Sequence, residues 1–349
     1  MQRQNLKRLH NIISRFNDVN ILVVGDVMLD KFIWGTVSRI SPEAPVPVLW
    51  AKSESFMPGG ASNVANNMSA LGVKVYLCGV IGDDEAGRIL TAELAKRGIN
   101  NDGVLIDDSR PTVEKTRIIA HHQQVVRIDK ESNVAIDNKI ITRILSFAKD
   151  KVPEVDAVVI EDYGKGLIIP HLLKELVPFS RARKKIITVD PKQEHFNFYK
   201  GVTAIMPNRK EAEDASGIRI KDVASLKAAG EELLRRLRCE AILITLGEDG
   251  MALFQRSKGW VHIPTVAQEV YDVSGAGDTA IAVFTLAKSC GANMVEAAHI
   301  SNVAAGIVVG KVGIGVCSAE ELRSHIEQIK RYGVKKAKGS YPSESIFKK

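Results

Sequence analysis

Apolar positions along this chain come in two kinds of run that alternate for most of its length. Short, almost unbroken blocks of aliphatic and β-branched residues stand at 21–27 (ILVVGDV), 75–82 (VYLCGVIG), 156–163 (DAVVIEDY), 185–191 (KIITVDP), 203–208 (TAIMPN) and 241–247 (AILITLG). Between them, segments such as AGRILTAELAKRG (86–98), ITRILSFAKD (141–150) and LKAAGEELLRRLR (226–238) place apolar residues three and four apart. A strand without polar alternation is buried on both faces, and segments of helical period supply the covering layers. The pattern predicts an α/β architecture: a doubly wound, mainly parallel sheet with helices on both faces. Residues 1–20 read as an amphipathic helix, and SAEELRSHIEQIKRYG opens on a Ser318-x-x-Glu321 capping box and closes near Gly333.

Two stretches break the alternation. Residues 31–52 (KFIWGTVSRISPEAPVPVLWAK) and 103–127 (GVLIDDSRPTVEKTRIIAHHQQVVR) are rich in β-formers, turn residues and proline, with no helical period between their strands. They predict a small, mostly antiparallel sheet inserted at two points, a β lid over the end of the main sheet. With no internal repeat and no low-complexity linker, residues 1–333 read as one domain and 334–349 as a basic, flexible tail.

Composition changes this picture little. The 349 residues are 45% hydrophobic and 26% charged with a mean hydropathy of −0.02, the profile of an ordinary globular chain with a sizeable core. No apolar run reaches the roughly 18 residues a membrane span needs, and the N-terminus lacks the apolar centre of a cleavable signal. A cytoplasmic protein without a membrane partner is expected. Cys78, Cys239, Cys290 and Cys317 are widely spaced, with no C-x-x-C pair, and read as reduced, buried thiols rather than disulfides or zinc ligands. The net charge of +7 would suit nucleic acid, but from Lys330 onward seven bases face one acid, Glu344, so the body is close to neutral and no nucleic-acid partner is expected.

The chemistry gathers in YDVSGAGDTA (271–280), where Gly275 and Gly277 lead into a helical pattern. Glycines let backbone approach a ligand, and the first N–H groups of a helix carry the positive end of its dipole, so the loop is an anion site. Gly275 to Ala280 also matches G-x-G-x-x-A, with Glu296 near the expected downstream acid of a dinucleotide site. The context opposes that match: VAQEVYDVS (266–274) is too polar for a first buried strand, and Glu296 lies in the next helical segment. No phosphate loop ending in Lys-Ser or Lys-Thr exists either; GIVVGKV (306–312) has the wrong spacing. A carboxylate in the first helical turn beside an anion site can take a proton from a substrate hydroxyl while the N–H groups hold a transferred phosphoryl group. Asp278 is therefore a candidate general base, expected to be weak beside the helix dipole; on its own it could equally do no more than complement that dipole.

Five motifs in order, GG (59–60) with ASNVANNMSALG, GVIGDDEAG (79–87), PNRKEAE (207–213), TLGEDG (245–250) and DVSGAGDTA (272–280), resemble the ribokinase-type, or PfkB, family of sugar kinases. The resemblance spans residues 21 to about 320 and implies a ribokinase-like fold with a β lid. It implies Asp278 as base, with Gly275 and the N–H groups of Ala276 and Gly277 as the anion hole. Asn208 and Glu211 would place Mg2+ and phosphate indirectly. Thr245, Gly247 and Gly250 would meet ATP, and Asp30, Gly59, Gly60 and Asn63 the sugar hydroxyls. Within the family, GDVMLDKFIWG, SRISPEAPVPV, QQVVRIDKE, DYGKG and QEVYDVSGAGDT resemble the D-glycero-β-D-manno-heptose-7-phosphate kinases. These transfer the ATP γ-phosphate to the anomeric oxygen, on the route to ADP-heptose and lipopolysaccharide core. Arg117, Arg127, Lys165 and Lys192 are candidates for the 7-phosphate, because basic side chains near the lid and the strand ends suit an anion. His121 and His122 receive no role. Family lids commonly pair, so a homodimer is expected; such kinases are often fused to a C-terminal adenylyltransferase, but the resemblance here covers the kinase half only, so no adenylyltransferase domain is expected in this chain and that step falls to a separate protein downstream. A kinase of another sugar or nucleoside, and a non-catalytic nucleotide sensor, are the competing functions.

Overall fold

A computed structural model of the chain describes residues 3–332 except 122, 133, 257, 267–269, 312 and 314. The tail at 334–349 and His122 thus lie outside the described residues. A nine-stranded sheet forms the centre, and its strands are β1 (Asn20–Gly25), β4 (Lys74–Ile81), β5 (Asn100–Ile106), β8 (Ala157–Glu161), β9 (Ile186–Asp190), β10 (Ala204–Ile205), β11 (Ala241–Thr245), β12 (Met251–Gln255) and β13 (Gly259–Ile263). Their spatial order is β13-β12-β11-β10-β9-β8-β1-β4-β5, parallel from β11 to β5, with β12 and β13 joined antiparallel at one edge. All six strands read from sequence are present; the β12–β13 hairpin was not anticipated.

Both faces are covered, as the apolar blocks require. Ile21 and Val23 of β1 point into one core, shared with α2 (Ala61–Ala70), α8 (Ala276–Ser289) and α9 (Met294–Val309). Leu22 and Val24 point into the other, shared with α4 (Asn138–Lys151), α5 (Pro170–Ala182) and α7 (Val223–Leu237). Each such aliphatic side chain contributes about 1.5–3 kcal/mol on full burial, which no alternating strand could gain on both sides. The N-terminal helix α1 (Arg3–Ser14) and the C-terminal α10 (Ala319–Tyr332) join the first core through Leu9, Ile13 and Leu322. The Ser318–Glu321 capping box forms, with N–H···O distances of 2.8 and 3.1 Å. α3 (Glu85–Lys96) and α6 (Arg209–Ser216) complete the layers.

The second sheet has four strands in the order β3-β2-β6-β7, namely β3 (Pro47–Gly60), β2 (Val27–Ile40), β6 (Glu114–Ala120) and β7 (Gln123–Lys130). It is mostly antiparallel, as expected, though its central β2–β6 pair is parallel. Its limits differ from the sequence expectation. β2 and β3 run 14 residues each, well past 31–52, because β2 starts one residue after β1 and carries the chain straight out of the main sheet. Residues 103–106 belong instead to β5, paired with β4 in the main sheet. Among the described residues, no helix is long and apolar enough to cross a membrane.

Candidate active site

Ligand sites in parallel sheets form where the strands end at their carboxyl side, and here several strand ends converge on one cleft of about 320 Å³. β8 delivers Asp162 and Tyr163, β9 delivers Asp190 and Lys192, β10 leads to Asn208, and β11 ends in Thr245. The opposite wall is the N-terminus of α8, with Gly275, Gly277 and Asp278. Gly275 precedes that helix at φ 78°, a left-handed conformation that favours glycine, and no side chain caps the helix start. A Cβ on Gly277 would find only Asp190 Oδ2, at 3.9 Å, so this glycine keeps the backbone open to the cleft.

Asp278 is buried, and both of its oxygens are held. Asn63 Nδ2 donates to Oδ2 at 2.6 Å and the Tyr163 hydroxyl donates to Oδ1 at 2.7 Å. Asn63 is itself fixed: Asn67 Nδ2 donates to its carbonyl at 2.9 Å, and the Thr279 hydroxyl donates to Asn67 Oδ1 at 2.8 Å, tying α2 to α8. Tyr163 is placed by Asp26, whose carboxylate accepts the N–H groups of Tyr163, Lys165 and Leu167 at 2.9, 2.9 and 3.2 Å. One buried aspartate at the end of β1 therefore shapes the loop that positions the hydroxyl on Asp278.

Burial raises the Asp278 carboxyl above the ordinary aspartate value, although Asn63 and Tyr163 pull the other way. This direction runs against the expectation of a weak base, because burial disfavours the charged carboxylate. Glu161, 0% exposed, has no hydrogen-bond partner at either oxygen, and its carboxylate, with those of Asp190 and Asp278, offers oxygens within 4.8 Å of one another. Burial first, then the neighbouring carboxylates, Asp190 and Asp278 for Glu161 and Glu211 and Asp278 for Asp190, push both well above the usual carboxylate range.

The model of the pfkB family of carbohydrate kinases matches residues 19–321. The chain belongs to this family. It is similar to the bifunctional protein HldE of Desulfatibacillum aliphaticivorans, at 46% identity over 315 residues, and to that of Geobacter metallireducens, at 47% over 322. These alignments cover 90% and 92% of the chain but only 64% and 65% of the relatives' own length. Among solved structures it is similar to phosphofructokinase-2 from Escherichia coli in complex with substrates and products (TM-score 0.76, 18% identity, 90% of this chain and 100% of that one). Arabidopsis thaliana ribokinase complexed with ribose and ATP superposes with a TM-score of 0.70 at 18% identity, over 88% of this chain and 99% of that one. At such identity the likeness is one of fold, ribokinase-like α/β.

In this carbohydrate kinase the dinucleotide alternative is excluded by context: α9 follows α8 with no strand between, and Glu296 caps α9 through Asn293 while binding Arg8. Of the anion-hole pair, Ala276 donates its N–H to the Val273 carbonyl at 3.3 Å and does not line the cleft, whereas Gly277 does. Asn208 and Glu211 form a reciprocal capping box on α6, at 2.9 and 2.8 Å, and both line the cleft. Lys192 lies opposite Glu211 and lowers the proton affinity that burial gives that carboxyl. Gly247 and Gly250, at φ 63° and 85°, lie outside the cleft lining; a Cβ on Gly250 would sit 2.1 Å from the Ile263 carbonyl, so this glycine admits β13. At the second sheet, Cβ atoms on Gly59 and Gly60 would strike Asp30 Oδ2 and the Asp26 carbonyl. Asp30 is buried and ion-paired with Arg117. Arg127 pairs with Asp129 at 2.8 Å and Lys165 with Glu131 at 2.7 Å. Asp162 holds a turn, accepting from Gly164 N at 2.9 Å and from the Tyr199 hydroxyl at 2.6 Å. Trp50, 73% exposed, and Trp34, stacked on Phe32, stay in the second sheet. Tyr163, Asp26 and Asp190 had no assigned role, although DYGKG, GDV and VDP mark the strand ends on which they sit.

Proposed function

We propose that this kinase phosphorylates the anomeric hydroxyl of D-glycero-β-D-manno-heptose 7-phosphate with ATP, giving the 1,7-bisphosphate used for ADP-heptose and lipopolysaccharide core. The observation that carries the chemistry is Asp278, buried at the start of α8 beside an open glycine N–H, with both oxygens oriented. Asp278 accepts the hydroxyl proton as that oxygen bonds to the γ-phosphorus and the bond from phosphorus to the bridging oxygen breaks, releasing ADP. The raised proton affinity of Asp278 suits an acceptor near neutral pH, and an anomeric hydroxyl is more acidic than a simple alcohol. The choice of heptose is supported by the similarity to HldE across at least 90% of this chain.

Mg2+ fits the donor set. The partnerless Glu161 carboxylate and Asp190 would hold the cation, with Asn208 and Glu211 beside them, and a bound cation would neutralise phosphate charge. Thr245 on the same wall suits ATP phosphates. A single kinase domain over 1–333 is supported by the family match over 19–321. A homodimer through the second sheet is supported by strand β7, exposed throughout with Val125, Val126 and Ile128, and by the free edges of β3 and β7. A separate downstream adenylyltransferase gains no support, because the relatives are named as bifunctional.

The test is ADP release with Mg-ATP and heptose 7-phosphate, set beside fructose 6-phosphate, ribose and fructose. Turnover confined to the heptose phosphate supports the proposal, and a preference for any other sugar replaces its substrate.

A further inference from the structure

The second sheet carries a charged face that reaches Tyr163 through Lys115. Across β2 and β6, Asp30 pairs with Lys115 and Phe32 with Arg117; across β6 and β7, Lys115 pairs with Asp129 and Arg117 with Arg127. Directly opposed residues share a face, so Asp30, Lys115, Arg117, Arg127 and Asp129 stand together. Lys115 Nζ lies 5.6 Å from the centre of the Tyr163 ring, whose hydroxyl holds Asp278, and both Asp30 and Lys115 act on the Asp278 charge.

The cations near this face are not equivalent. Arg117 is matched by Asp30, Arg127 by Asp129, and Lys165 by Glu131. Lys115 has no carboxylate within 4 Å among the described residues, and it is half-buried. Burial lowers its proton affinity, Arg127 and Lys165 lower it further, and Asp30 and Asp129 oppose them. A matched base must loosen its carboxylate to take a new anion, whereas a half-desolvated ammonium that meets only the Tyr163 ring has no carboxylate to release and gains more from one.

We propose that Lys115 receives the phosphate group that the sugar already carries, and so sets the preference for a phosphorylated over a free sugar. This rests on the kinase reading above and extends its candidate set of Arg117, Arg127, Lys165 and Lys192: the first three act around Lys115 as matched pairs, while Lys192 lies in the cleft with Glu211.

Lys115→Gln and Lys115→Arg test it in the full chain, with heptose 7-phosphate and the dephosphorylated heptose as acceptors. In Lys115→Gln the ratio of kcat/KM for the phosphorylated over the free sugar is expected to fall roughly tenfold to hundredfold, the scale of one charge-assisted hydrogen bond, mainly through the KM of the sugar phosphate. Lys115→Arg should recover part of the ratio, which a purely structural lesion would not allow. An unchanged ratio, or a loss of kcat alone, would overturn the proposal and assign Lys115 to the transferred group. If the wild type turns over no sugar, the kinase reading fails separately. Lys115 is then judged by calorimetric binding of inorganic phosphate with Mg2+ and a non-hydrolysable ATP analogue present: tenfold weaker binding in Lys115→Gln sustains the site, and equal binding removes it.

Discussion

Replacing Tyr163 with Phe removes one oxygen and leaves the ring where it is. That oxygen donates to Asp278 Oδ1 at 2.7 Å, in a buried setting where Asn63 supplies the only other hydrogen bond to the carboxylate among the described residues. A hydrogen bond to a charged group contributes about 1.5–3 kcal/mol, which corresponds to roughly a tenfold to hundredfold loss of kcat/KM if the bond orients the base in the transition state. The same bond favours the charged carboxylate and opposes the upward push of burial. Its removal therefore raises the Asp278 pKa further, and the acidic limb of the kcat/KM profile should move to higher pH. The assay is initial ADP release against pH for the wild type and Tyr163→Phe at saturating ATP. A variant within twofold of the wild type, with its acidic limb in place, would refute the view that Tyr163 positions the base.

Other expectations follow from single contacts. Asp26→Ala leaves three N–H groups of the 163–167 loop without their acceptor and should destabilise the protein by about 3 kcal/mol or more, read from urea unfolding; a change under about 1 kcal/mol would contradict that role. Glu161 and Asp190 have folded-state pKa values raised above their unfolded ones, so the stability they permit is complete at low pH and is lost as pH rises through the raised values. The thermal midpoint without divalent cation should accordingly fall across that rise, Mg2+ should restore it, and Glu161→Gln should flatten the dependence; a midpoint indifferent to Mg2+ would argue against the cation role. All four cysteines are buried, with Cys290 pushed up to about 11 and Cys239 and Cys317 to about 12, so a thiol reagent at neutral pH should label the native protein slowly and all four thiols after denaturation.

Much of this fold is legible because burial on both faces leaves its trace in composition. ILVVGDV and AILITLG can be nothing but central strands, since no solvent-facing strand would repeat aliphatic residues in succession. The β12–β13 hairpin is harder to read because both strands are short: β12 offers an apolar run of only four residues, MALF, and the edge strand β13 is half-buried, with His262 interrupting its apolar residues. Residues 103–106 were drawn into the lid by their β-formers, which do not say which sheet a strand joins. At the site, the motifs marked Asp278, Asn208, Glu211 and Thr245, and the argument from strand ends marked Lys192, all of which line the cleft. It could not show that Arg117 is engaged by Asp30, or that Ala276 spends its N–H on Val273, because pairing depends on register and loop geometry. Asp26 and Tyr163 are 137 positions apart and meet only after folding; a lone aspartate following a strand carries no mark of the loop it will hold.

The central claim is that Asp278 takes the proton from a sugar hydroxyl while ATP supplies the phosphoryl group. The most direct measurement is ADP release from Mg-ATP and heptose 7-phosphate by the wild type and by Asp278→Asn, an isosteric change that keeps the helix start and removes the base. Turnover by the wild type that falls at least a thousandfold in the variant, with ATP still bound, is the expected result. Equal turnover by the two proteins would contradict it.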